Sequence, residues 1–124
     1  MDSAGKHFEL LHNLHTAVVV HRPDTSILYC NKRATELLGL TEDQMLGKTV
    51  MDPTWRFVDE DGSQMSIAQY PVSVVINTKT SLEEMVLGVQ SARQAQPLWL
   101  MVSAFELLCN TQSIYLTVNA TMVN

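Results

Sequence analysis

The chain has 124 residues, of which 46% are hydrophobic, and its formal net charge is −5. This length is enough for one domain with a core of its own, and the apolar fraction argues against a disordered chain. The eight lysines and arginines are scattered, and only Lys32 and Arg33 are adjacent. A surface that follows phosphate groups needs clustered cations, so nucleic acid and an anionic membrane surface are disfavoured as partners.

Two kinds of segment are missing from the sequence. The longest unbroken apolar run, Leu98 to Val102, has five residues, so no segment predicts a membrane-spanning helix. The N-terminus lacks the apolar stretch of a signal peptide. Cys30 and Cys109 are the only cysteines, which is too few for a disulfide framework or a zinc site. We therefore expect a cytoplasmic protein with reduced thiols.

The first part of the chain predicts a helix followed by a strand hairpin. Residues 1–15 favour an amphipathic helix. The β-branched run 17–20 and the apolar run 27–30 favour two strands, and residues 23–26 are typical of the turn that joins them.

Short helices come next, and the sequence marks their ends. Asn31 is a candidate N-cap of a helix that Gly39 ends. Thr41 begins the following helix with a capping box. Residues 66–77 favour a third helix, in which Pro71 lies at a first turn or at a kink.

The last part of the chain predicts three strands, at residues 85–90, 98–105 and 113–123. The alternation in the last of them is that of a half-buried antiparallel strand, and we expect the helices to cover its apolar face. That face carries Ile114, Leu116 and Val118. Strands that flank a helical insert indicate an α+β domain, namely a five-stranded antiparallel sheet with short helices on one face and an N-terminal cap helix.

The order of these elements, together with their motifs, resembles a PAS domain, or sensory box. Residues 27–39 are similar to that family's strand-to-helix signature, and residues 40–48 to its next short helix. The residues that match the signature one by one are Asn31, Ala34, Leu37, Leu38 and Gly39. Residues 55–62, followed by Tyr70 and Pro71, resemble a bacterial subgroup, and residues 87–89 and 99–104 resemble the third and fourth strands.

The chain departs from the family pattern in two places. Residues 92–97 stand where an Asp-Gly turn is frequent, so the geometry of that loop is open. Residues 119–121 stand where the last strand usually ends in an Asp-Ile-Thr-like motif that leads to an output domain, and here the acidic residue is missing.

The resemblance implies one PAS-like sensory domain over 1–124, with an N-terminal helix at 1–15 and the core at 16–124, taken from a longer multidomain protein. It implies an input domain of a bacterial signal-transduction protein, which senses a small ligand or partner. The signal then leaves through Asn119 and Thr121 to a C-terminal output domain, either a cyclic-dinucleotide enzyme or a histidine kinase. A ligand-free dimerisation or protein-interaction module is the alternative, and a small α+β enzyme is a weaker third hypothesis.

No catalytic or metal-binding constellation is apparent. Residues 59–61 are adjacent acidic residues of a turn, whereas general acid–base pairs converge across a cleft. The four histidines have no cluster of further ligands, so we expect them at a surface or an interface. They are His7, His12, His15 and His21.

Heme and flavin are also disfavoured as cofactors. The resemblance implies an axial histidine for heme, or an Asn-Cys-Arg motif for a flavin adduct, in the helical insert. Residues 31–77 contain neither histidine nor cysteine. An unidentified small organic ligand is the remaining occupant to be considered.

Aromatic and methionine side chains are candidates for a ligand pocket between sheet and insert. The candidate pocket residues are Trp55, Phe57, Tyr70, Trp99 and Met101. Trp99 and Met101 share one face of their strand and Leu100 and Val102 share the other, so only one of these pairs can line the cavity. The alternative is that these side chains only fill the core.

A second copy of the chain is the expected partner. In the resembled family the N-terminal helix often packs against its counterpart, and apolar residues on the outer side of the fourth strand also need cover. The candidate dimer residues are Phe8, Leu11, Leu14 and Phe105.

Overall fold

A computed structural model describes residues 16–52, 56–90 and 96–121. Its strands are β1 (Ala17–His21), β2 (Ile27–Cys30), β3 (Arg56–Val58), β4 (Leu82–Gln90), β5 (Leu98–Cys109) and β6 (Gln112–Thr121). Its helices are α1 (Lys32–Leu38), α2 (Glu42–Met45), a 3-10 turn (Ile67–Gln69) and α3 (Pro71–Thr78). The predicted helix at 1–15 lies outside the described residues.

All strand pairs are antiparallel, and the strand order in the sheet is β2-β1-β6-β5-β4-β3. The predicted α+β class is confirmed, but the sheet has six strands and not five. The additional strand is β3, which pairs with β4 from Arg56 opposite Gln90 to Val58 opposite Gly88. Three residues are too few to show an alternating pattern, so the sequence gives no signal for β3.

The helix ends form as the sequence predicts. The Asn31 side chain accepts a hydrogen bond from the first turn of α1, and Gly39 ends that helix in the left-handed conformation. Thr41 and Gln44 form the reciprocal capping box of α2. The predicted helix at 66–77 is split instead, because Pro71 lies at the first turn of α3 and the 3-10 turn precedes it.

One buried side chain joins the hairpin to the helical insert. Asn31 Oδ1 accepts hydrogen bonds from the backbone N–H of Val18, at 3.0 Å, and of Ala34, also at 3.0 Å. Asn31 Nδ2 donates to the carbonyl of Thr16 at 2.8 Å. The residue has no exposed surface, so these bonds form where water cannot replace them.

The helices pack on one side of the sheet, which we call the inner face. Val72 and Val75 of α3 pack there against Ala104 and Tyr115. The expectation that the insert helices cover Ile114, Leu116 and Val118 is wrong for the described helices, none of which packs against this cluster. The register pairs Val20 with Leu116, so apolar residues of β1 and β6 cluster on the opposite, outer face.

Gly88 in β4 provides the first testable prediction. A Cβ atom at this position would lie 2.9 Å from Val58 Cγ2, 3.0 Å from Pro97 Cβ and 3.2 Å from Trp99 Cζ3. We expect Gly88→Ala to lower the free energy of unfolding by about 1–3 kcal/mol, because packed neighbours must move. Urea unfolding measures this loss.

A Val58→Ala background is the control for this clash, because it removes the closest atom. The glycine substitution should then cost less by about 0.5 kcal/mol or more. Equal costs in both backgrounds would contradict the steric explanation.

Candidate ligand cavity

A cavity of about 70 Å³ lies between the inner face of the sheet and the helical insert. Side chains from all six described strands, from α1 and from α3 reach it, together with residues 48–50 and Tyr70. The apolar part of its wall includes Ala17, Val19, Ile27, Ala34, Leu37, Leu38, Val50, Phe57, Val72, Leu87, Val89, Leu100 and Val102.

His21 is the buried ionisable group of the cavity wall. Its Nδ1 lies 2.9 Å from the carbonyl oxygen of Thr25, and a carbonyl can only accept, so Nδ1 carries the proton. Burial lowers the pKa of His21 below its ordinary value of 6.5, and the hydrogen bond to Thr25 opposes this shift. The imidazole is therefore neutral at pH 7.

The structure corrects the expectation that the histidines lie at a surface or an interface, for the one histidine it describes. His21 is only 9% exposed, because β1 is an interior strand with β2 on one side and β6 on the other. Its side chain follows Ala17 and Val19 onto the inner face.

Tyr70 and Phe57 form an aromatic corner of the cavity. Their ring centroids are 4.4 Å apart, and the ring planes are tilted by 39°. Tyr70 is buried, and no described residue forms a hydrogen bond with its hydroxyl group. Every fully buried side-chain nitrogen or oxygen of the described residues has a partner. The hydroxyl therefore keeps some accessible surface.

The cationic group at the cavity rim is neutralised. Lys48 contributes to the wall, and its Nζ lies 3.2 Å from Asp52 Oδ2. Both side chains are about a quarter exposed (24% each), so the ion pair contributes little to stability. Its consequence for the cavity is that no uncompensated charge faces the interior from the described residues.

Two polar residues of β6 complete the wall. The Thr117 hydroxyl donates to the carbonyl of Val19 at 3.5 Å. Asn119 Nδ2 donates to the carbonyl of Ala17 at 3.4 Å. These bonds link the cavity wall to β1, the neighbouring strand.

The predicted pocket residues fall on different sides of the sheet. Phe57 and Tyr70 line the cavity. Trp99 and Met101 do not, because they lie on the outer face, where Trp99 packs over Gly88 and Met101 is 36% exposed. The cavity is lined instead by Leu100 and Val102, the pair on the opposite face of the same strand. Trp55 lies outside the described residues.

The other predicted sites are placed as follows. Phe105 is half-buried on the outer face beside the cluster of Val18 and Leu116. Phe8, Leu11 and Leu14 lie outside the described residues. Asn119 is on the inner face, and Thr121 ends β6 opposite Leu100.

Sequence reasoning missed His21, Thr117 and Asn119 as wall residues. The run 17–20 is apolar on both faces, so its alternation did not show where His21 points. In β6 the more polar face is the one that lines the cavity, and the apolar face packs in the outer cluster. A glycine paired with Trp99 was an available signal, since only a residue without a side chain leaves room for the indole there.

Metal and thiol chemistry find no support in the part of the chain that the structure describes. It contains no group of three or more histidine, cysteine, aspartate or glutamate residues placed to hold a metal ion. Burial raises the pKa of the Cys30 thiol to about 11, so this cysteine is not a thiolate at neutral pH. The described helices include none that is long and apolar enough to cross a membrane.

The family model for the PAS fold matches residues 7–69, just over half of the chain. The chain therefore belongs to the PAS family, whose members are sensory and regulatory modules, and the resemblance in its sequence is confirmed. A search of the curated proteins finds no match.

Solved PAS domains share the fold along nearly the whole chain. The PAS domain of nitrogen regulation protein NR(II) from Vibrio parahaemolyticus has a TM-score of 0.70 at 14% identity, over 94% of this chain and 97% of that one. That of the fruit-fly ELK potassium channel has a TM-score of 0.71 at 14% identity, over 100% of both chains. A PAS domain from a two-component sensor histidine kinase has 0.68 at 14% identity, over 96% of each. Identities this low show the fold alone.

The buried histidine gives a prediction about pH. Because the pKa of folded His21 lies below 6.5, the unfolded state binds more protons as the pH falls below 6.5. The free energy of unfolding should therefore decrease with acidification from pH 6.5 downward, with a contribution from His21 of up to about 1.4 kcal/mol per pH unit. Urea unfolding at a series of pH values measures this slope.

His21→Gln is the matched variant for that experiment. Glutamine can still donate to the Thr25 carbonyl but does not titrate. The difference in stability between the two proteins should change with pH below 6.5. Parallel curves would show that His21 is protonated equally well in the folded state.

Proposed function

We propose that this chain is the sensory input domain of a bacterial signal-transduction protein and that a small organic ligand enters the cavity between sheet and insert. The observation that carries the proposal is the cavity itself, an apolar space bordered by accessible polar groups of His21 and Tyr70. Apolar walls with a few convergent polar groups are typical of small-molecule sites.

The size of the cavity limits the ligand. Pockets for drug-sized molecules measure roughly 300–1,000 Å³, and an apolar cavity of about 150 Å³ is enough for benzene. A volume of about 70 Å³ therefore suits roughly three to four non-hydrogen atoms. Such a molecule gains at most about 1.5 kcal/mol per atom, or about 6 kcal/mol in total. The corresponding dissociation constant is no tighter than about 40 μM.

The signal leaves through β6 in this proposal. Asn119 lines the cavity and hydrogen-bonds to Ala17 on β1, so an occupant that shifts Asn119 also changes the pairing of the two strands. Thr121 lies two residues further along β6 and is the proposed exit. A ligand acts here by favouring one of two packings that already exist.

The proposed partner of this signal is a C-terminal output domain, either a histidine kinase or a cyclic-dinucleotide enzyme. Similar solved PAS domains come from a two-component sensor histidine kinase and from the regulatory protein NR(II), which supports the kinase. The fruit-fly channel shares the same fold, so the output must be established on the full-length protein.

Filling the cavity tests the proposal. Val102→Phe adds a ring to the cavity wall, whereas Val86→Phe makes the same change on the outer face of the adjacent strand. A library of water-soluble fragments of about four non-hydrogen atoms is titrated against the protein while amide NMR shifts are recorded. Fragments that shift amides around the cavity should bind at least about tenfold more weakly to Val102→Phe and normally to Val86→Phe.

Two results would contradict ligand sensing. One is that no fragment produces a saturable shift in residues of the cavity wall. The other is that both phenylalanine variants bind the fragments as the unmodified chain does, which would place binding elsewhere.

A second candidate function is dimerisation without a ligand, and exposed apolar side chains on the outer face favour it. Met101 is 36% exposed and Leu107 39% exposed, with half-buried Phe105 between them on β5. Exposed apolar side chains close together on one sheet face are typical of an interaction surface. The predicted residues Phe8, Leu11 and Leu14 belong to the same proposal.

A charge on this surface tests the dimer. Met101→Asp should shift a dimer towards the monomer in light scattering, because a carboxylate would be buried at the contact. Met51→Asp is the control, since Met51 is 71% exposed and lies outside the sheet. A wild-type chain that stays monomeric at high concentration contradicts the dimer.

A further inference from the structure

We infer that the cavity selects small uncharged molecules that carry a hydrogen-bond donor, with an alcohol as the simplest class, and that His21 Nε2 recognises the donor. This inference rests on the proposed ligand-sensing function and specifies the chemistry of the same cavity.

The tautomer of His21 leaves one ring atom available. Nδ1–H is used by the Thr25 carbonyl at 2.9 Å, so Nε2 carries a lone pair and can only accept. No described residue donates a hydrogen bond to Nε2. Since each fully buried polar side-chain atom of the described residues has a partner, Nε2 keeps some accessible surface, and His21 is one of the residues that line the cavity. Nε2 can therefore accept a hydrogen bond from a ligand that carries a donor.

The polar side chains of β6 in the cavity wall also offer acceptors, because their donors are already used. The Thr117 hydroxyl proton and the Asn119 amide group are directed to backbone carbonyls of β1, at 3.5 Å and 3.4 Å. What these two side chains retain for a ligand is acceptor capacity in Thr117 Oγ1 and Asn119 Oδ1. The Tyr70 hydroxyl in the same wall can donate or accept, so it serves either kind of ligand. A ligand that donates also satisfies His21 Nε2, whereas an acceptor-only ligand leaves Nε2 unpaired.

Charge is disfavoured for the same occupant. Lys48 is already paired with Asp52 at 3.2 Å, and the imidazole is neutral because burial lowers the pKa of His21. A carboxylate or an ammonium ion would therefore lose its hydration on entering the cavity and find no counter-charge there among the described residues. An uncharged molecule with an O–H group meets both conditions.

Four probes of equal size separate these properties: 2-propanol, acetone, acetate and isopropylammonium. They have the same number of non-hydrogen atoms but differ in donor capacity and charge. Amide NMR titrations of the wild-type chain follow residues of the cavity wall, such as Leu87 and Val102. We expect 2-propanol to bind about tenfold more tightly than acetone. Acetate and isopropylammonium should produce no saturable shift at the cavity.

Variants then assign the preference to one atom. His21→Leu should abolish the difference between 2-propanol and acetone, because it removes the acceptor. His21→Gln should restore the difference, since an amide offers an acceptor while it donates to Thr25. Thr117→Val is the matched control within the same wall and should keep the preference. Amide spectra of each variant establish that it is folded.

The outcomes distinguish this inference from the function on which it rests. If none of the probes shifts the cavity residues, both the ligand-sensing function and the donor class are overturned. If 2-propanol and acetone bind equally well to the wild-type chain, or if acetate binds best, the donor class is wrong and the cavity remains a ligand site. A preference that survives His21→Leu overturns the role of His21.

Discussion

The structure depends on the side-chain hydrogen bonds of Asn31. This residue follows the first hairpin, caps the first insert helix and bonds to Val18 in β1 and to Thr16 just before that strand. If it were replaced by an apolar residue, the N–H group of Val18 and the carbonyl of Thr16 would lose their bonds to this side chain. The N–H group of Ala34 would keep its 3.1 Å bond to the backbone carbonyl of residue 31. Each unpaired group costs about 1–3 kcal/mol. Because Ala17 and Ala34 both line the cavity, the same amide group also fixes the distance between two of its walls.

The wall of the cavity formed by α3 is held by apolar packing. Helix α3 lies on the sheet mainly through the packing of Val72 and Val75 against Ala104 and Tyr115. The polar contact at its end is partly buried: exposed Lys79 places its Nζ 3.0 Å from the hydroxyl of buried Tyr115 and 5.5 Å from the centre of its ring. A single hydrogen bond or cation–π contact of this kind makes only a modest net contribution to stability. One wall is therefore fixed by buried hydrogen bonds and the other by apolar packing, which tolerates sliding. A ligand that changes the cavity is expected to move α3 rather than α1.

The parts of the fold that the sequence predicted are those with local causes. The caps at Asn31 and Thr41 join side chains to backbone groups only three residues away, so a short stretch of sequence specifies them. Which face of β6 lines the cavity depends instead on pairing with β1, about a hundred residues earlier, and a one-residue change of register would exchange the two faces. In β5 both faces are apolar, so alternation could not choose between Trp99 and Leu100. The sequence therefore predicted the cavity between sheet and insert correctly, but it assigned Trp99 and Met101 to the wall in place of Leu100 and Val102.

Native-state hydrogen exchange of two amides tests the role of Asn31 most directly. Val18 lies in β1 and Ala34 in α1, and both donate to the same Oδ1 atom. If this atom joins strand and helix into one cooperative unit, the two amides exchange with free energies that agree within about 0.5 kcal/mol. Asn31→Ala should then lower both by the same amount. An Ala34 amide that exchanges at a much lower free energy than Val18, as the frayed end of an independent helix would, contradicts this role.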